Sequence, residues 1–277
     1  MYAYRWQRRY VGPVRAVIFD MAGTLMDFGS RAPAGVFVEV FRRRRVAMTV
    51  AEARGPMGAE KRRHIEMLLE LPAVAERFAA AHGRAWSQQD VDELYAAFIP
   101  LQIESLPAFA GLVPGALDVG QALAERGIGI GVNSGYSRDM LEVCLAEAKR
   151  QGFAWQSAVA ASDVPRARPC PAMCLKNAAE LAVADVAACV KVDDTVPGIL
   201  EGLAAGMWTV GLAISGNEVG LSHADWQALR PAEQEKRRER AVARLAEAGA
   251  HYVVDSVADL LPCIAAIEKR LGRGERP

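Results

Sequence analysis

The stretch Arg15-Ala-Val-Ile-Phe-Asp20-Met-Ala-Gly-Thr24 decides the fold. An apolar run ends abruptly in an acid and passes into a glycine-containing turn. A run that is apolar at every position suits a parallel strand buried on both faces, with Asp20 delivered at its carboxyl end. The pattern recurs along the chain. Ile128-Gly-Ile-Gly-Val132 precedes Asn133-Ser134-Gly135, and Ala188-Cys-Val-Lys-Val192 precedes Asp193-Asp194. Trp208-Thr-Val-Gly-Leu212 precedes Ala213, and His251-Tyr-Val-Val254 precedes Asp255. Helical patterns fall between these runs, over 114–126, 138–151, 171–181, 196–205 and 231–248. Strand and helix in alternation predict an α/β fold, a Rossmann-like parallel sheet with helices on both faces. Ligands in such folds bind outside the carboxyl ends of the strands, where Asp20, Ser134 and Asp194 fall.

From Gly29 to about Pro107 the alternation stops and only helices are predicted: 33–45, one from Thr49, 61–69 and 87–101. Thr49-x-x-Glu52 is a capping box, and Ser87 with Asp90 offers a similar start. The expected organisation is an N-terminal arm at residues 1–13, an α/β core at 14–28 and 108–277, and a helical cap at 29–107 inserted after the first strand. Val36, Phe37, Val40 and Phe41 follow helical spacing and are expected in the core or at a dimer contact. Arg42 to Arg45 read as a solvated face, and 215–240 as a loop followed by an exposed helix.

At 277 residues the chain has room for one large domain or a core plus a smaller one. Its 52% apolar and 24% charged residues are those of a globular protein. Basic and acidic residues balance at 33 each, which argues against nucleic acid or an anionic membrane as the main partner. No apolar run approaches the ~18–20 residues of a membrane-spanning helix. The basic, aromatic arm lacks the apolar core of a secretory signal. The five cysteines lack framework or zinc spacing, so reduced thiols in a cytoplasmic protein are expected.

The chemistry gathers at the strand ends. Asp20 can act as a covalent nucleophile in phosphoryl transfer while the turn at Gly23 approaches a phosphate. Asp193-Asp194 offers a second carboxylate to hold Mg²⁺ against the first. Ser134-Gly135 brings a hydroxyl and backbone N–H groups to a helix start, and Arg168 adds a planar fork for phosphate oxygens.

Asp20-x-Ala-Gly-Thr24, Ser134, Arg168 and Asp194, in this order around a helical insertion, resemble the haloacid dehalogenase superfamily. Within it, the chain is similar to the phosphonatases over nearly its whole length. The matching stretches include Glu52-Ala-Arg-Gly-Pro-Met-Gly58 with Lys61 and His64, Ser134-Gly-Tyr136, Asp163-Val-Pro165 with Arg168-Pro169, and Lys191-Val-Asp-Asp-Thr195. Phosphatases and phosphomutases of the superfamily carry a general acid two residues after the nucleophile, and Ala22 cannot serve as one. Lys61 supplies another way to activate the leaving group, because a protonated imine accepts the electrons of a departing carbanion.

The resemblance implies hydrolysis of the C–P bond of phosphonoacetaldehyde, with Asp20, Lys61 and His64 catalytic. It also implies Met57, Ser134, Gly135 and Arg168 at the substrate, Mg²⁺ on Asp20, the Ala22 carbonyl and Asp194, and a homodimer joined through the cap. A same-fold phosphate-ester hydrolase or phosphomutase is the alternative, as is a non-catalytic phosphonate- or phosphate-binding protein. Gly198 stands where the superfamily places another acid, and Asp193 is the candidate to replace it through water.

Overall fold

The computed structural model describes residues 9–277, so most of the expected N-terminal arm lies outside the described residues. The first strand, β1 (Ala16–Phe19), is buried at every position. Its alternating side chains serve two layers. Val17 and Phe19 join the large apolar cluster, while Ala16 and Ile18 pack with Cys174 and Ala178 on the other face. That two-sided burial is why the run carries no polar alternation.

Between β1 and the rest of the sheet lie five helices: α1 (Arg31–Arg43), α2 (Val50–Arg54), α3 (Lys61–Glu70), α4 (Pro72–His82) and α5 (Gln88–Phe109). They share a core in which the Phe37 and Phe98 rings stack at 4.5 Å. Val36, Phe37, Val40 and Phe41 are all buried within this chain. Arg42 and Arg43 pair with Glu39 on the surface, but Arg44 departs from the solvated face and reaches Asp90 and Glu93 on α5. The Thr49–Glu52 capping box forms as the spacing predicts.

The chain then runs through α6 (Ala116–Glu125), β2 (Gly129–Ser134), α7 (Arg138–Arg150), β3 (Ser157–Ala160), α8 (Ala172–Glu180) and β4 (Cys189–Asp193). It finishes with α9 (Val196–Ala204), β5 (Trp208–Leu212), α10 (His223–Ala228), α11 (Pro231–Glu247), β6 (Tyr252–Val254) and α12 (Leu260–Gly272). The six strands are parallel in the order β3-β2-β1-β4-β5-β6. The strand order reverses between β1 and β4, so the crevice at their carboxyl ends is the expected ligand site. No helix of the described residues is long and apolar enough to cross a membrane.

Five elements differ from the sequence reading: β3, α4, α5, α10 and α12, the last lying beyond every segment expected to be helical. β3 was not expected, because its Ser-Ala-Val-Ala sequence is short and weakly β-forming. α4 was missed because it buries only Val74 and Phe78 among alanines and so shows little apolar period. α5 runs past Leu101 to Phe109 through Pro100 and Pro107. The stretch 215–240 also holds two helices, with α10 before α11.

The chain leaves β1 and returns to the sheet side by side. Met26 bridges Leu112, and the Asp27 N–H donates to the Gly111 carbonyl at 3.1 Å. The outgoing segment is sharply turned, with Asp27, Gly29 and Ser30 at φ of 53°, 87° and 48°.

Candidate active site

Asp20 follows the last residue of β1, and its N–H donates to the Val192 carbonyl at 3.0 Å. The parallel register sets Phe19 opposite both Val132 and Val192. One step further along, Asp20 therefore stands between the ends of β2 and β4. Asp20, Ala22, Met57, Lys61, Ser134, Gly135 and Arg168 all line one cavity of about 20 Å³. A larger hollow of about 780 Å³ opens at the other end of the sheet, among Arg15, Gly129, Gln156 and Ala188. It gathers no such chemistry and lies at the amino ends of the strands.

Asp20, Asp193 and Asp194 are buried, with carboxylate oxygens within 4.8 Å of one another. Burial lifts Asp20 to about 6 against the pull of Arg168, with Asp193 adding repulsion. Burial, then Asp20 and Asp193, push Asp194 well above the usual carboxylate range. Thr24 Oγ1 donates to Asp194 Oδ1 at 3.1 Å, and the Asn217 N–H donates to Oδ2 at 2.8 Å. Burial also acts on Asp193, but Arg168 and Lys191 outweigh it and hold that carboxyl below its ordinary value. Clustered, mutually repelling hard oxygens fit a divalent cation, which relieves their repulsion.

Arg168 is fully engaged on one edge. Its Nη2 lies 2.7 Å from Asp20 Oδ1 and 2.6 Å from Asn133 Oδ1, and its Nε donates to Glu201 Oε2 at 2.9 Å. Lys191, buried in the middle of β4, donates to Asn133 Oδ1 at 2.6 Å and lies 3.0 Å from Asp193 Oδ2.

The opposite wall comes from the insertion. Lys61 opens α3, whose first N–H groups are capped by Glu60. While Arg62 and Arg63 face outward into surface ion pairs, Lys61 is only 4% exposed. Its Nζ lies 5.2 Å from the Tyr136 ring and 6.0 Å from the Phe37 ring. Burial pulls the amine down from 10.5 to about 8, against the attraction of Asp20. His64, one turn along, does not line the cavity. It stacks on Phe37 at 3.9 Å, its Nε2 bonds the Ala53 carbonyl at 2.8 Å, and its buried Nδ1 has no partner among the described residues. Burial, then the Lys61 charge, hold it well below the ordinary histidine value.

The loop between α2 and α3 presses on the core. Gly58 has φ of 90°, and a Cβ there would lie 2.2 Å from Thr195 Oγ1. A Cβ at Gly135 would meet the Ala59 carbonyl at 2.8 Å. Glycine is what lets the two backbones approach this closely.

A family model described as haloacid dehalogenase-like hydrolase matches residues 14–206. The phosphonoacetaldehyde hydrolase of Hahella chejuensis is 51% identical, over 99% of this chain and 94% of that protein. That of Klebsiella pneumoniae is 50% identical, over 95% of this chain and 99% of its own length. The chain belongs to the phosphonoacetaldehyde hydrolase family of haloacid dehalogenase-like hydrolases. A crystal structure of a phosphonoacetaldehyde hydrolase like protein from Oleispira antarctica superposes with a TM-score of 0.97, at 47% identity and with full coverage of both chains.

Membership in this family agrees with the resemblance drawn from the motifs. The structure adds residues the motifs did not single out for a role: Thr24, Asn133, Tyr136, Lys191, Glu201 and Asn217. Lys191 and Glu201 carried a signal, each being a charge set in an otherwise apolar strand or helix. Tyr136, whose buried hydroxyl has no partner among the described residues, carried none beyond its place after Ser134-Gly135.

Proposed function

We propose that the chain hydrolyses the C–P bond of phosphonoacetaldehyde to acetaldehyde and phosphate. One observation carries the reading: a buried amine, drawn down to about 8, lines the same small cavity as the strand-end carboxylate Asp20, where Ala22 offers no acid. A carbon leaving group needs an electron sink rather than a proton donor, and Lys61 provides one.

In the proposed sequence the neutral Lys61 amine adds to the aldehyde carbon, and loss of water gives the protonated imine. An Asp20 oxygen attacks phosphorus in line. The C–P electron pair moves into the imine as an enamine, and the phosphoryl group passes to Asp20. Water cleaves the acyl phosphate, releasing phosphate. The enamine takes up a proton at carbon, and hydrolysis of the imine frees acetaldehyde and the amine. His64 serves through Nδ1, its one free lone pair, as the proton carrier behind Lys61. Ser134, the Gly135 N–H and Arg168 Nη1, which makes no hydrogen bond among the described residues, hold the phosphonate oxygens, and Met57 lines the aldehyde side. Asp20, the Ala22 carbonyl and Asp194 would hold Mg²⁺, which would supply neutralising charge at the phosphoryl oxygens.

The proposal assigns 29–107 the part of a movable cap and 14–28 with 108–277 that of the core, with the paired linkers at Met26–Leu112 as the joint. It includes a homodimer and a cytoplasmic location, which the five unpaired thiols suit. The test is product analysis with phosphonoacetaldehyde and Mg²⁺. Equal amounts of acetaldehyde and inorganic phosphate are expected, and phosphate release from simple esters alone would refute the reading.

A further inference from the structure

One cap arginine is spent on the core in a way the chemistry above does not require. Arg54, the last residue of α2, sits on the connection that carries Met57 and leads into Lys61. Its Nη1 donates to the Gly29 carbonyl at 2.9 Å and to Asn217 Oδ1 at 3.0 Å, and its Nη2 donates to the Gly220 carbonyl at 3.1 Å. No carboxylate pairs with it among the described residues. Its hydrogen bonds go to neutral acceptors, and the charges of Asp27, Asp194 and Glu218 act on it only from a distance, so burial outweighs their pull and the contact is costly for mere adhesion. The site is also shaped around it. Gly220 has φ of 68°, and a Cβ there would lie 2.8 Å from Arg54 Cζ.

The acceptors come from two places that matter for closure. Gly29 lies in the outgoing linker, and its N–H donates to the Ser215 carbonyl at 2.7 Å. Asn217 belongs to the loop after β5, and its N–H is one of the two donors on Asp194. In the same loop, a Cβ at Gly216 would lie 2.2 Å from Asp194 Cβ. Arg54 thus grips the segment that orients Asp194.

We infer that Arg54 is the latch of the closed cap: a positioning residue that holds the Met57–Lys61 segment over Asp20 and, through Asn217, ties that closure to the placement of Asp194. The inference rests on the reading of Lys61 as the reactive amine. A cavity of about 20 Å³ has room for about one water, so substrate enters with the cap raised and the latch parted. Carbonyl acceptors suit a contact of this kind, since water satisfies both sides when it opens.

The test is Arg54→Ala, read by amine acylation and mass mapping of the full chain. Lys61 and Lys191 are both buried, but only Lys61 is carried by the cap, on the face turned toward the core. Lys61 is expected to label about tenfold faster in the variant while Lys191 in β4 stays protected, the mark of local opening rather than unfolding. Turnover of phosphonoacetaldehyde falls alongside, mainly in kcat/KM. Arg54→Lys, which keeps the charge but not the fork, labels at an intermediate rate. Unchanged Lys61 labelling overturns the latch, and so does a parallel rise at Lys61 and Lys191, which marks a merely structural role. Labelling needs no turnover, so it reads the latch even if phosphonoacetaldehyde proves not to be the substrate.

Discussion

Asp193 fills the space that a side chain at Gly198 needs: a Cβ there would lie 1.9 Å from Asp193 Cγ. The acid absent from position 198 therefore has no room while Asp193 is present. Asp193 is itself held by the Thr195 N–H at 3.0 Å, the Thr195 hydroxyl at 2.7 Å and the Lys191 ammonium. Asp193 thus belongs to the charge network around Arg168 as well as to the carboxylate cluster with Asp20 and Asp194.

Gly198→Asp is expected to overpack the site and cost roughly 1–3 kcal/mol of stability. In an Asp193→Gly background the same change has room and returns a carboxylate to the cluster. A double-mutant cycle by denaturant unfolding should give a favourable coupling of about 1 kcal/mol or more. Additive losses would mean that the two positions do not share the space.

Lys61→Met should stabilise the fold while ending turnover. The folded amine titrates at about 8 against 10.5 unperturbed, so the unfolded chain binds more protons between those values. Stability of the parent protein therefore rises with pH through that window, and at neutral pH it carries the cost of a buried charge. Replacing the amine with an apolar chain of similar length removes a cost on the order of 1–3 kcal/mol. Thermal melts of both proteins at pH 7 and pH 10 check the sign, and the gap between them should shrink at the higher pH.

The rate should follow the same group. Imine formation needs the neutral amine, about a tenth of Lys61 at pH 7 but only about one part in several thousand for an unperturbed lysine. With metal saturating, kcat/KM for phosphonoacetaldehyde is expected to rise toward a plateau above about pH 8. Lys61→Arg keeps the charge and should lose turnover.

Glu201→Gln keeps the shape of the Arg168 anchor but removes its charge. The guanidinium is then less firmly held at Nε, and binding of the phosphonate group should weaken about five- to tenfold. Competitive inhibition by inorganic phosphate measures this without involving the lysine chemistry. An unchanged inhibition constant would make Glu201 a packing residue only.

Much of this was legible in the sequence, for physical reasons that also mark the limit. Strands buried on both faces announce themselves as apolar runs, so β1 and the acid at its end could be read directly. β3 could not, because small residues at a sheet edge show no such contrast. Asp194 and Ser134 were legible because they follow such strands. Asn133 was not, and Lys191 and Glu201 showed only as charges in apolar elements, because their roles come from long-range contacts: Asn133 and Glu201 meet Arg168 across 35 and 33 residues of chain, and Lys191 meets Asn133 across 58. His64 shares a helix face with Lys61, yet only the first residue of α3 reaches the cavity. Arg54 lay in a stretch that carries the resemblance, yet it had no role of its own until the fold brought the loop after β5 beneath it.

The most direct test of the account is borohydride reduction of the protein with phosphonoacetaldehyde, followed by peptide mass mapping. A single stable adduct on Lys61, with loss of activity in proportion to its formation, is the expected result. Full activity after reduction, or an adduct spread over the exposed lysines and missing from Lys61, would contradict the imine and the reading built on it.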